Sequence, residues 1–298
     1  MSGRLAVLRG PTAGRGRHHD AVADAIEALR SGGRQIVVLD AHTVAEAEAM
    51  CAQSVSDGAA ALVAVGGDGT VHLAVQAAAG SGVPFGVVPA GTGNDFATAV
   101  GIPLDQVEAA RAISAALDAG SVRPVDLARM SGPDGYQRWF AAVLGAGFDA
   151  IVNERANAMR WPKGRRRYDV AIFAELVRLH PRPYRISVDD TSYDREAVLV
   201  AVGNTHSYGG GMKMCPAADP TDGLLDVVVA GPVSRTTLLR LQPKVYQGTH
   251  VRHPALIQLQ GRRVTIDAAG ITAYADGERT CPLPVTVTAV PGALSLLV

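Results

Sequence analysis

Two glycine-rich segments, GGDGT at residues 66–70 and GTGNDFA at residues 91–97, gather the residue types from which a phosphate cradle is built. Glycine lets the backbone approach a ligand closely, and the N–H groups of a turn that opens a helix converge on an anion. In the first segment Gly66, Gly67 and Gly69 would allow that approach, Asp68 would face a metal–phosphate region, and Thr70 would open the helix with a hydroxyl. In the second, Gly91 and Gly93 flank Thr92, whose hydroxyl and amide could bind phosphate, while Asn94 or Asp95 would cap the next helix. The same residue types also make ordinary capped turns between a strand and a helix. Either segment alone is compatible with a structural role.

Two acidic segments follow. ADPTDGLLD at residues 218–226 holds Asp219, Asp222 and Asp226 in a loop that enters a strand. Carboxylates and backbone carbonyls suit hard cations such as Mg²⁺, although Asp-Gly is also a common turn pair. In DGE at residues 276–278, Asp276 and Gly277 fit a two-residue hairpin turn with Glu278 beside it. No GxxxxGK[ST] occurs, and no GxGxxG stands in the first strand-to-helix turn, which excludes an ordinary P-loop kinase. The eight histidines are scattered, with none paired at metal spacing, and read as surface or structural.

These residues need elements to hold them. In the first third, apolar runs such as RLAVLRG, RQIVVLDA and AAALVAV alternate with helix-like stretches. Val22, Ile26 and Leu29 share one face of the first helix, which ends at glycines. Strands separated by single helices predict a doubly wound α/β domain over residues 1–125, with ligands at the carboxyl ends of its strands. Beyond that, short β-branched strands with few helices between them predict a mainly antiparallel β-sandwich over residues 126–298. Helical insertions interrupt it at residues 161–180 and 234–248, and a basic run of Arg160, Lys163, Arg165, Arg166 and Arg167 borders the first of them. That run could meet anionic headgroups or be a solvated cluster.

Composition narrows the classes. A chain of 298 residues exceeds one usual core, and 48% hydrophobic against 19% charged residues describes a globular protein. Formal net charge is zero, which leaves no global field for nucleic acid or anionic membrane, so any such attraction must be local. Three widely spaced cysteines suit a reducing cytoplasm. No leader-like segment opens the chain, and no apolar run has the length of about 20 residues that spans a bilayer.

In this order and spacing, GGDGT, PAGTGNDFA (residues 89–97), GGGMKMCPAADPTDGLLDV (residues 209–227) and DGE resemble the diacylglycerol kinase catalytic-domain family. That family includes bacterial lipid kinases, sphingosine kinases and ceramide kinases, and the resemblance spans nearly the whole chain. It implies an ATP-dependent lipid kinase with an NAD-kinase-like first domain for nucleotide and a second domain for lipid. Mg²⁺ would bridge the phosphates. It further implies a structural Mg²⁺ on Asp222 with backbone oxygens of Asp219 and Leu224, and a base at Glu278 with Asp276 as metal or water ligand. Sequence does not separate those last two roles. Thr12 and Thr43 become nucleotide-side candidates, although Arg9 and Gly10 stand where the family has asparagine before Pro11, and Thr98 replaces an arginine. The C-terminal tail is expected to return to the first domain. The expected partner is a membrane lipid met peripherally from the cytoplasmic side, with no nucleic acid and with a homodimer left open. The competing readings are an NAD kinase, which shares the GGDG turn, and a nucleotide-binding regulatory protein without catalysis. GTGNDFA and PAADPTDGLLD argue against the former, and retention of Asp68, Asp222, Asp276 and Glu278 against the latter.

Overall fold

The structure is a computed structural model and describes residues 3–10, 19–30, 33–148, 150, 155, 159 and 180–298. Strands β1 (Arg4–Arg9), β2 (Gln35–Leu39), β3 (Ala61–Gly66) and β4 (Phe85–Pro89) pair in parallel in the order β2-β1-β3-β4. Helices α1 (His19–Arg30), α2 (Val44–Ser56), α3 (Asp68–Ala78), α4 (Asp95–Ala99) and α5 (Gln106–Ala119) supply the crossovers. Every residue of β3 is buried. Such an unbroken apolar run is what a strand covered on both faces requires. One core holds Leu8, Leu62, Val75 and Phe96, and a second holds Leu5, Val63, Leu29 and Ile113. Asp105 caps α5 through the N–H groups of Val107 and Glu108, and left-handed Gly120 ends it. This is the predicted doubly wound domain.

The second part is predominantly β-sheet. It comprises β5 (Arg123–Ser131), β6 (Gln137–Phe140), β7 (Val143–Gly147), β8 (Arg182–Val188), β9 (Thr191–Ala197) and β10 (Leu199–Gly203). It continues with β11 (Leu225–Ala230), helix α6 (Arg235–Gln247), β12 (Leu256–Gly261), β13 (Arg263–Asp267), β14 (Thr272–Ala275), β15 (Glu278–Pro282) and β16 (Val285–Leu296). One antiparallel sheet runs β12-β11-β10-β7-β14-β15. Facing it, β16, β13, β8 and β9 pair antiparallel, with β5 paired to β16 and β6 to β5. Leu144, Val200 and Val227 from the first sheet meet Ile186, Val264 and Val287 from the second, which makes the predicted sandwich.

One strand belongs to both parts. The far end of β16 reaches β4, where Leu296 pairs in parallel with Phe85 and the Leu297 N–H donates to the Phe85 carbonyl at 2.8 Å. The ten-stranded sheet is therefore continuous from the α/β layer into the sandwich. Among the described residues no helix is long and apolar enough to cross a membrane, and the three cysteines are buried and form no disulfide.

Candidate active site

The two glycine turns meet at the carboxyl ends of β3 and β4. A Cβ on Gly67 would stand 3.0 Å from the Gly91 Cα, and one on Gly91 would collide with the Gly67 Cα. Only glycine at both positions lets the turns touch. The Ala90 N–H also donates to the Gly66 carbonyl at 2.8 Å. Gly67 is the N-cap of α3 without side-chain help, so Asp68 and Thr70 are released from the capping role that such a turn could have given them. The Thr70 side chain turns inward, where its hydroxyl fills the space that a Cβ on Gly10 or Gly66 would need. Asn94 is left-handed, at φ 55°. Its side chain closes its own turn, accepting from the Gly91 N–H at 3.0 Å and donating to the Gly91 carbonyl at 3.1 Å. Thr92 is exposed at the tip.

Acidic side chains gather above this junction. The Asp68 Oδ1 accepts from the Phe96 N–H at 3.1 Å. A Cβ on Gly93 would lie 2.8 Å from the Asp68 Oδ2 and 3.3 Å from the Asp95 Oδ2, so both carboxylates border one glycine. Asp95, 3% exposed, reaches across to the second domain and accepts from the N–H groups of Gly210 and Gly211 at 2.6 and 2.7 Å. Burial pushes the Asp68 carboxyl above the usual aspartate range, and the negative charges of Asp95 and Asp276 add to that push against the Phe96 hydrogen bond.

The hairpin of β14 and β15 delivers the second acidic pair. Asp276, at φ 53°, and Gly277, at φ 84°, form its two-residue turn. The Asp276 Oδ1 accepts from the Ala142 N–H at 2.8 Å, and its Oδ2 from the Ala141 N–H and His72 Nδ1, each at 3.0 Å. Its side chain is 4% exposed. Three protein donors therefore hold the group expected as a metal or water ligand, an arrangement that suits positioning. Glu278 stands free of that network and is exposed. Its Oε1 lies 3.5 Å from where a Cβ on Gly69 would be, directly over the first turn of α3.

Several contributing residues were not singled out from sequence. His72 and Gln76 follow Asp68, which the sequence did mark, at every fourth position along α3, a polar stripe on a mostly buried helix. The Gln76 amide accepts from the Trp139 N–H at 3.0 Å and donates to the Trp139 carbonyl at 2.9 Å, pairing with β6 as a strand would. Asp126, 4% exposed, accepts from the N–H groups of Gly223 and Gly292, each at 2.7 Å. Asn204 donates to the carbonyls of Asp126 and Ala141 at 3.0 and 2.8 Å. A lone acid within the apolar strand PVDLA was the available signal for Asp126.

The remaining candidates divide. Thr43 caps α2 by accepting from the Glu46 N–H at 3.1 Å, while Glu46 accepts from the His42 N–H. It follows edge strand β2, with β1 between it and the glycine turn of β3, a separation of roughly 10 Å at ordinary strand spacing. Thr12, the basic run and the helix predicted after it lie outside the described residues. In the acidic loop, the Asp219 Oδ1 accepts from the Thr221 N–H at 3.0 Å, and the Asp222 Oδ1 from the Leu224 N–H at 2.9 Å. Gln260 spans the Oδ2 atoms of Asp222 and Asp226 at 3.3 Å each. Among the described residues no three His, Cys, Asp or Glu side chains converge as a metal cage. A loop of carboxylate and carbonyl oxygens is nonetheless the donor chemistry a hard cation takes, and each Asp222 oxygen, bound by a single donor, retains acceptor capacity.

Comparison with known proteins agrees with this layout. A family model described as the diacylglycerol kinase catalytic domain matches residues 4–130. A second, described as the YegS C-terminal NAD kinase beta sandwich-like domain, matches residues 142–298. A diacylglycerol kinase of Mycobacterium tuberculosis is 42% identical over 296 residues, covering 99% of this chain and 95% of that protein. A diacylglycerol kinase structure from Bacillus anthracis has a TM-score of 0.74 at 23% identity, covering 99% of this chain and 96% of that one. An NAD kinase from Archaeoglobus fulgidus, in complex with ATP, has a TM-score of 0.55 at 13% identity over 98% and 92% of the two chains. Both structural likenesses are likenesses of fold. The chain belongs to the diacylglycerol kinase catalytic-domain family of lipid kinases.

Proposed function

We propose that this lipid kinase transfers the γ-phosphoryl group of ATP to a hydroxyl of a diacylglycerol-like or phosphatidylglycerol-like lipid, met peripherally at the cytoplasmic face of a membrane. The observation that carries this reading is the Glu278 carboxylate lying over Gly69, which brings an exposed acid of the sandwich to the glycine turn of the nucleotide domain. Phosphoryl transfer asks a protein for positioning, charge stabilisation and a base within reach of the nucleophile. Glu278 accepts the proton of the lipid hydroxyl. The hydroxyl oxygen bonds to the γ-phosphorus as the bond from that phosphorus to the β,γ-bridging oxygen breaks, and ADP leaves. The two glycine turns hold the phosphates through backbone N–H groups, and the opening of α3 adds the positive end of its dipole.

Mg²⁺ bound with ATP would supply neutralisation of the phosphate charge, with Asp68 as the protein group facing it. Asp222, with the carbonyls of Asp219 and Leu224, would hold a structural ion. Asp276 acts on Glu278 by fixing the hairpin turn. The test is incubation of the purified chain and labelled ATP with diacylglycerol, phosphatidylglycerol, a total lipid extract and NAD, with products resolved by mass. Label on a lipid supports the reading, and label on NAD alone overturns it.

A further inference from the structure

We propose that helix α6 is a docking element for an anionic phospholipid surface, with Leu239 and Tyr246 entering the interface and Arg240 and Lys244 meeting lipid phosphates. The inference rests on the lipid-kinase reading of the adjoining cleft. Helix α6 is held from one side only. Leu241 is its one buried residue, with Leu238 and Val245 half-buried beside it. At 100° per residue, Leu239, Pro243 and Tyr246 fall on the opposite face. Leu239 is 49% exposed and Tyr246 41%. Arg240 and Lys244, one turn apart, are exposed along one flank of that apolar ridge.

Charge gives the face its partner. From residue 227 to residue 266 the chain contains no Asp or Glu and six Lys or Arg, in a protein whose formal net charge is zero. A cation-rich, acid-free helix with an exposed leucine and tyrosine matches an interface of acyl chains, headgroups and anionic phosphate. The helix is also fastened to the rim of the site. The Lys213 N–H donates to the Val245 carbonyl at 3.1 Å, and a few residues earlier on that loop Gly210 and Gly211 hold Asp95. A bilayer that seats α6 thereby lies beside the cleft in which its lipid would react.

The experiment is co-sedimentation of the full chain with phosphatidylcholine vesicles, with and without phosphatidylglycerol. Wild-type protein should prefer the anionic vesicles and release in high salt, as screened surface charge does. R240E/K244E should weaken that binding about tenfold or more, and L239A/Y246A should weaken it without changing its salt response. R111E, a single charge reversal at an exposed position of α5, should not. All three variants should phosphorylate a dispersed short-chain lipid at the wild-type rate. Unchanged vesicle binding in both α6 variants, or an equal loss in R111E, overturns the docking role. So does an equal loss of rate on the dispersed lipid. If the α6 variants lose vesicle binding while wild-type protein phosphorylates no lipid, docking stands and the kinase reading falls.

Discussion

Asp68 sits under opposed demands. Burial raises its pKa in the folded chain, with Asp95 and Asp276 adding to the shift, yet the proposed role beside a metal-bound nucleotide needs its charged form. A folded-state pKa above the unfolded one contributes stability below the ordinary aspartate range, and that contribution is lost as pH rises through the folded value. At neutral pH the charged group therefore costs stability. Asp68→Asn keeps an oxygen for the Phe96 N–H, so its melting temperature should exceed wild-type at pH 7, and the gain should shrink toward pH 4. Turnover should fall by about 10² or more. A melting temperature at pH 7 no higher than wild-type contradicts this account of Asp68. Asp276 and Glu278 separate by the same measurement. An amide at position 276 turns an NH₂ toward N–H donors, leaving buried groups unpaired at about 1–3 kcal/mol. Asp276→Asn should thus lower the melting temperature clearly, whereas Glu278→Gln, at an exposed position, should leave it unchanged. Equal effects would mean that both carboxylates are positioned alike.

At the scale of elements, α3 does more than open at a glycine turn. His72 grips the β14–β15 turn through Asp276 and Gln76 grips β6, so the helix that opens at the first glycine turn also fixes the hairpin that carries Glu278. His72→Ala should lower kcat by about 10 to 10²-fold through misplacement of Glu278, with affinity for an ATP analogue unchanged. His72→Asn, which restores a donor near the Nδ1 position, should recover most of the loss. Parallel losses of kcat and nucleotide affinity would show a general defect instead. Much of this scale was legible in sequence. Glycine turns after buried runs and the switch to short β-branched strands are local signals, and local chemistry decides them. Long-range pairings were not legible. Nothing near His72 in sequence announces Asp276, and nothing near Asp126 announces Gly223 or Gly292. DGE is a hairpin turn, as one of its two readings expected, and that turn presents Glu278 over Gly69, where the proposed proton transfer needs it.

At the scale of the molecule, β16 joins the two parts, and the acidic loop hangs from the same strand through Asp126. Deleting residues 291–298 removes the buried side chains of Leu294, Leu296 and Leu297. Loss of one such leucine costs about 2–5 kcal/mol, so the three together rival the roughly 5–15 kcal/mol that holds a domain folded. The truncated chain should show no cooperative melting, and a transition near the wild-type temperature would contradict the role given to β16. The central claim is that an exposed acid on the sandwich performs proton transfer at a phosphate site built by the other domain. Its most direct test is kcat on a lipid acceptor for Glu278→Gln beside binding of a non-hydrolysable ATP analogue. The account predicts a loss of about 10²–10⁴ in kcat with analogue affinity and melting temperature unchanged. Wild-type turnover in Glu278→Gln would contradict it.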